Sequence, residues 1–221
     1  MGARAGQGEG IEMLLLGDLV PDFTAESTVG RINLYDWLGE GWGILFSHPK
    51  DFTPVCTTEL GEVARLKPEF DRRDTKVLGL SVDTAESHSA WAGDIADASG
   101  SELNFPLIAD PDHRLADLYG MIHPRELETL TVRSLFVIDP KKRLRLSITY
   151  PAAVGRNFAE ILRVLDALQL VDRFPVSTPA NWSPGGEVIV AGSLGDSEAQ
   201  ERFPAGVRTV KPYLRFTPDP G

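Results

Sequence analysis

The chain has 221 residues, 42% of them hydrophobic and 24% charged, a balance ordinary for a soluble globular protein. Its 22 basic against 32 acidic residues give a formal charge of −10, which lacks the concentrated positive charge that nucleic-acid phosphates and anionic membranes require. A single cysteine excludes an intramolecular disulfide framework, CxxC redox chemistry and every zinc site needing two thiolates, and the four histidines (His48, His88, His113, His123) show no paired metal spacing.

In chain order, the opening "MGARAGQGEG" lacks the apolar region of a signal peptide and, with Gly6, misses the myristoylation pattern. Residues 1–12 are expected to be disordered and the protein cytoplasmic, with no apolar run of about 18 residues to cross a membrane. "GWGILFSHP" (41–49) reads as a buried strand ending at Pro49 and entering a loop. From Pro54 to Arg72 the spacing of Val55, Leu60, Val63, Leu66 and Phe70 predicts a helix. Pro54 suits its first turn, and Pro68 bends it or ends it early.

"KVLGLSVD" (76–83) is a second buried strand, and "TAESHSAWAGDIAD" (84–97) is a helix opening on Thr84 and Ser87. A short apolar piece at 105–110 and a helix over 111–119 follow. "RSLFVIDPKKRLRLSITY" (133–150) reads as a hairpin turning at "DPKK", which leaves the basic triplet 141–143 in a solvated loop. "GRNFAEILRVLDALQL" (155–170) has the clearest amphipathic pattern, with Phe158, Ile161, Leu162, Leu165 and Leu168 on one face.

Strands alternating with helices, then a hairpin and a last helix, predict an α/β fold with a mixed central sheet flanked by helices. After Leu170 the composition turns to Pro, Ser and Gly, which places a boundary near residue 172. The expected organisation is a disordered segment (1–12), a core domain (13–172) and a small C-terminal α+β extension (173–221). In the extension, 187–191 reads as a strand and 197–203 as a short helix. The extension is too small for an ordinary independent core, so it is expected to pack on something, a second subunit among the options.

The one cysteine stands in "HPKDFTPVCTTEL" (48–60). If a helix starts at Thr53 or Pro54, Cys56 lies in its first turn, where unpaired backbone N–H groups and the helix dipole favour an anion. A reactive thiolate and an inert small residue filling a strand–helix junction both fit that position. Glu59 opposes a thiolate unless a cation occupies it, and Arg133 is one candidate cation among many.

Pro49-Lys50-Asp51-Phe52-Thr53-Pro54-Val55-Cys56 matches the pattern PxxxTxxC. With "GDLVPDF" (17–23), "SLFVIDP" (134–140) and "YPAAVGRNFAEILRVLDALQL" (150–170), the chain resembles the peroxiredoxins over roughly residues 12–221. The lone cysteine and the long extension resemble their 1-Cys, peroxiredoxin 6-type branch.

The resemblance implies a thioredoxin-like fold, no cofactor and no metal. It also implies reduction of hydrogen peroxide and alkyl hydroperoxides, with Cys56 as the nucleophile that becomes a sulfenic acid. Thr53 and Arg133 would hold the thiolate and polarise the peroxide, and Pro49 would shield the site. Glu59 and Arg156 would orient the arginine, and His48 would line the pocket. A helix N-cap is the other role open to Thr53, and a plain ion pair the other role open to Arg156.

With no resolving thiol in the chain, reduction falls to an external donor: glutathione, a thioredoxin-like protein or ascorbate. The resemblance also implies a homodimer, with larger rings as an alternative. A redox-sensing or chaperone-like module using the same thiol is the alternative function. Some members of the branch carry a phospholipase activity on a serine and a histidine; Gly41 and Tyr35 occupy those positions here, so none is expected by that route.

Overall fold

Residues 14–221 are described by a computed structural model, so the segment 1–12, expected to be disordered, lies outside the described residues. Contacts divide the chain into two units, residues 1–156 and 157–221.

In the first unit, β1 (Thr24–Ala25) and β2 (Ile32–Asn33) pair antiparallel and lead into α1 (Leu34–Leu38), which Asn33 caps by accepting from Asp36 N. Next comes β3 (Trp42–Ser47), buried along its whole length. A Cβ at Gly43 would fall 2.2 Å from Leu38 Cδ2, so only glycine lets β3 run this close beneath α1.

The predicted helix after Pro54 is two helices, α2 (Pro54–Arg65) and α3 (Lys67–Asp71), broken at Leu66 with Pro68 in the first turn of α3. Proline lacks the N–H an unbroken helix would need there, as the pattern anticipated. β4 (Thr75–Ser81) and α4 (Ala85–Ser99) follow, the helix capped by Thr84 Oγ1 accepting from Ser87 N at 3.3 Å.

After β5 (Leu107–Ala109) comes α5, which is shorter than predicted, Arg114–Leu118 rather than 111–119. His113 takes a left-handed backbone (φ 61°), and the buried Asp110 carboxylate accepts from Leu115 N and Ala116 N, which fixes the late start. β6 (Arg133–Ile138) and β7 (Leu144–Tyr150) form the predicted hairpin.

The five-stranded sheet has the order β5-β4-β3-β6-β7, parallel among β3, β4 and β5 and antiparallel from β3 through β7. It is the mixed sheet expected. One of its faces carries a core of Leu45, Leu78, Leu80, Ile108, Phe136 and Ile138 with Leu34, Leu38 and Leu115. Each such fully buried side chain contributes roughly 1.5–3 kcal/mol. Two registers matter for the site. The C-terminal end of β3 runs into the loop before α2, and Phe46 opposite Leu135 brings the start of β6 to that same end.

The second unit begins with α6 (Phe158–Arg173), capped by Asn157 Oδ1 accepting from Ala159 N and Glu160 N. Phe158, Ile161 and Leu165 of the predicted face are buried, while Leu162 and Leu168 are half-buried. β8 (Val176–Ser177), β9 (Val188–Val190), α7 (Asp196–Arg202), β10 (Arg208–Lys211) and β11 (Leu214–Thr217) complete the chain, with the sheet order β10-β11-β9-β8. Ala167 and Leu170 of α6 join Val176, Trp182, Val188, Val190, Ala199 and Phe203 in one apolar cluster. The extension therefore draws its core partly from the helix before the expected boundary near 172.

Candidate active site

Thr53 has extended backbone angles (φ −120°, ψ 146°) and stands at the N-cap of α2, with Pro54 at its first helical position. The first helical bond of this end runs from Thr57 N to Thr53 O, so Val55 and Cys56 present their N–H groups at the helix start. Cys56 is fully buried there, the position its sequence predicted. Thr53 does not cap with its side chain: Oγ1 donates to Lys50 O at 2.8 Å, within the loop. Pro49 is buried just upstream.

Arg133, at the start of β6, reaches the thiol across the sheet. Its Nη1 lies 3.4 Å from Cys56 Sγ and donates to Glu59 Oε2 at 2.6 Å, while Nε and Nη2 donate to Ala152 O at 2.9 and 2.6 Å. Glu59 is one helical turn beyond Cys56 and is also gripped by Arg156. The Arg156 backbone N and Nε donate to Oε1 at 2.8 and 2.9 Å, and Nη2 donates to Oε2 at 2.7 Å. Arg156 Nη1 donates further to Ser134 O at 3.0 Å, and its guanidinium stacks 4.8 Å from the Phe46 ring centroid.

Two guanidinium cations thus face one carboxylate and one thiol in a region closed to water. Burial works against the Glu59 carboxylate, but the charge and hydrogen bonds of Arg156, with the charge of Arg133, hold its pKa below the usual carboxylate value. Glu59 therefore fixes the arginines rather than repelling the thiolate, and the net positive charge left over faces Cys56 Sγ.

His48, buried at the end of β3, belongs to an adjoining cluster. Its Nε2 is 2.9 Å from Asp51 Oδ1, and its ring lies 5.8 Å from that of His88 and 5.5 Å from that of Trp91. Burial pushes the His48 pKa down, against the pull of Asp51. Asp51 and His88 carry no signal in the linear spacing, since 37 residues separate them; the signal that could have placed the histidine inward is its i, i+3, i+7 spacing with Trp91 and Ile95, all buried on α4. Ligand atoms of His48, Asp51 and His88 lie within 4.8 Å of one another, the arrangement among the described residues that could gather a cation. Hydrogen bonds of 2.8–3.0 Å join these ligand atoms to one another, while His48 Nδ1 is buried with no hydrogen-bond partner among the described residues.

At the expected phospholipase positions, a Cβ on Gly41 would meet Asp74 O at 3.0 Å, and Tyr35 Oη donates to Val20 O at 2.6 Å.

The AhpC/TSA family model matches residues 16–147, and a model for the C-terminal domain of 1-Cys peroxiredoxin matches 167–206. The 1-Cys peroxiredoxin of Dictyostelium discoideum is 54% identical over 207 residues, 94% of this chain and 86% of that one. The solved structure of a cysteine-to-serine mutant of the peroxiredoxin 6 of Arenicola marina matches with a TM-score of 0.89 at 46% identity, covering 94% of this chain and 99% of that one. A yeast mitochondrial 1-Cys peroxiredoxin, solved for its thiol resolving mechanism via glutathione/thioredoxin systems, matches with a TM-score of 0.87 at 50% identity over 93% and 100% of the two chains.

Proposed function

The chain belongs to the AhpC/TSA peroxiredoxins, in their 1-Cys branch, and from that premise we propose how its residues share the work. It is a thiol peroxidase with a 1-Cys mechanism and a thioredoxin-like fold carrying a C-terminal extension. Cys56 is the nucleophile. Its thiolate attacks the terminal oxygen of ROOH, the O–O bond breaks, sulfur becomes S–OH, and the departing RO⁻ takes a proton to leave as ROH.

The observation that carries this assignment is Arg133 Nη1 at 3.4 Å from Sγ, held by three further hydrogen bonds that leave it little freedom to turn away. A guanidinium fixed beforehand stabilises charge as it develops on the oxygens, at no cost in reorganisation when the reaction occurs. Glu59 and Arg156 act as positioning residues for Arg133. Thr53 sits at the helix start, its hydroxyl free to turn from Lys50 O toward a peroxide. Pro49 keeps water from the loop, and His48 borders the pocket.

The sulfenic acid is reduced from outside. One thiol R′SH forms a mixed disulfide and releases water, and a second R′SH frees the cysteine as R′SSR′. The yeast relative resolved through glutathione/thioredoxin systems supports a thiol donor of that kind here. The cytosol, with its reduced thiol pool, is the compartment we propose, and fractionation of expressing cells tests it. A homodimer using the extension is the proposed assembly. Light scattering of the full chain beside one lacking 175–221 tests that: loss of the dimer on truncation supports it, and an unchanged soluble dimer contradicts it. The catalytic assignment is tested by peroxide consumption with a panel of reductants while intact mass follows Cys56. Gain of one oxygen, reversed by a thiol donor and absent in Cys56→Ser, supports it.

A further inference from the structure

Cys56 has no exposed surface, yet its oxidised form must meet a reductant far larger than a peroxide. On the peroxidase reading above, the start of α2 has to move outward in every cycle, and something must hold it in place until then. The residues just ahead of it are strained and tied down. Phe52 is a bulky residue at φ 55°, left-handed backbone that side chains of its kind rarely adopt, and it is exposed, so its one ring contact, with Trp91 at 6.0 Å between centroids, is not enough to secure it.

The residue before it does. The Asp51 carboxylate is buried and takes hydrogen bonds from His48 Nε2 at 2.9 Å, His88 Nδ1 at 2.8 Å and Ser87 Oγ at 2.7 Å, while Asp51 N donates to Asp83 Oδ2 at 2.9 Å. These bonds tie the loop to the first turn of α4 and to the end of β4. His88 Nε2 lies 3.1 Å from Ile108 O, a pure acceptor, and Nδ1 faces a carboxylate, also an acceptor. Both ring nitrogens of His88 therefore meet acceptors, so the ring bridges the loop carboxylate to the main chain of β5. The charge on the Asp51 carboxylate makes its contacts stronger than hydrogen bonds between neutral groups. Burial works against the Asp51 carboxylate, but its bonds to His48 and His88 hold its pKa well below the usual value.

We propose that Asp51, His88 and Ser87 are positioning residues that latch the strained loop, and with it the start of α2, in the peroxide-reactive state, against the opening that exposes the sulfenic acid to its reductant. The latch favours oxidation and opposes reduction, so loosening it moves the two half-reactions in opposite directions. A residue that merely stabilised the fold would lower both together.

The test is double-mixing stopped-flow on the full chain, first with one equivalent of hydrogen peroxide and then with glutathione. It compares the wild type with Asp51→Asn and Ser87→Ala, while near-UV circular dichroism reports the folded fraction. Fast oxidation of the wild type establishes the peroxidase reading independently of the latch. For Asp51→Asn, the open fraction is expected to rise about tenfold, the worth of a hydrogen bond to a charged group, so sulfenic acid reduction quickens by up to that factor while oxidation slows by less. Ser87→Ala shifts both in the same directions by less, and it decides the matter alone if Asp51→Asn does not fold. Rates unchanged in Ser87→Ala, or both rates falling with the folded fraction in either variant, would overturn the proposal.

Discussion

The guanidinium of Arg133 lies 3.4 Å from the sulfur of Cys56, with both side chains closed off from solvent. The contact joins a helix start to a strand start 77 residues later, and it rests on geometry that only arginine supplies. One face of the guanidinium fork is spent on Ala152 O and one nitrogen on Glu59, which aims the remaining N–H at the thiol. Lysine keeps the charge but not the fork. Arg133→Lys is therefore expected to slow oxidation of Cys56 by about a hundredfold, the usual loss when a fixed donor to a developing anion is removed. Stopped-flow with hydrogen peroxide measures this, and an undiminished rate would show that charge alone suffices.

Glu59 is the counter-ion for two buried arginines, bound to Arg133 at 2.6 Å and to Arg156 at 2.7 Å. Glu59→Gln leaves two cations facing each other without a carboxylate between them. Removing one member of a buried ion network costs roughly 3–5 kcal/mol, so the urea midpoint of the variant is expected to fall steeply. A midpoint equal to that of the wild type would mean that water or another anion replaces the carboxylate.

Acid should unfold the protein in two stages. Burial pushes the His48 pKa below its ordinary 6.5, so the unfolded chain takes up a proton that the folded one refuses, and stability falls as pH drops below that value. Asp51 and Glu59 also have depressed folded values. Their contribution is complete above the ordinary values of 3.8 and 4.5 and is lost as pH falls through the folded ones. Urea titrations at a series of pH values should show a shallow decline beginning below pH 6.5 and a steeper one below 4.5. A stability that rises on acidification toward 5 would contradict the account.

Gly41 and Tyr35 leave no nucleophile or base at the positions of the branch's phospholipase serine and histidine. The structure adds that Asp74 O crowds any side chain at 41. The purified protein is expected to release no fatty acid from phosphatidylcholine, and Gly41→Ser to gain none. Release by the wild type, measured by mass spectrometry, would locate a hydrolytic site elsewhere, and release gained only by Gly41→Ser would show that position 41 accommodates the serine.

Much of this was legible in the sequence because it depends on neighbours in the chain. Pro54 after Thr53 marks the start of α2, and the apolar run 43–47 marks β3, so the cysteine's place at a strand–helix junction follows from local pattern. The pairing of Cys56 with Arg133 is set by the antiparallel register of β3 and β6, and spacing alone offered Arg133 only as one arginine among many. Resemblance to the family singled it out. The pairing of Asp51 with His88 stayed hidden for the same reason: a loop and a helix meet through the parallel β3–β4 crossover, and Asp51 belongs to no periodic pattern. β10 and β11 were missed as well, because the four residues of β10 are all exposed and the positions β11 buries, Arg215 and Thr217, are polar. Of the two roles read for Thr53, its side chain does not take that of helix cap, since the hydroxyl donates to Lys50 O.

The central claim is that Cys56 is a nucleophile made fast by the groups fixed around it. Stopped-flow mixing of the reduced protein with hydrogen peroxide, with intact mass taken at the end of the fast phase, tests it most directly. The account predicts oxidation far faster than that of free cysteine, with one oxygen added at Cys56 and no signal in Cys56→Ser. A rate constant no better than free cysteine's would contradict it.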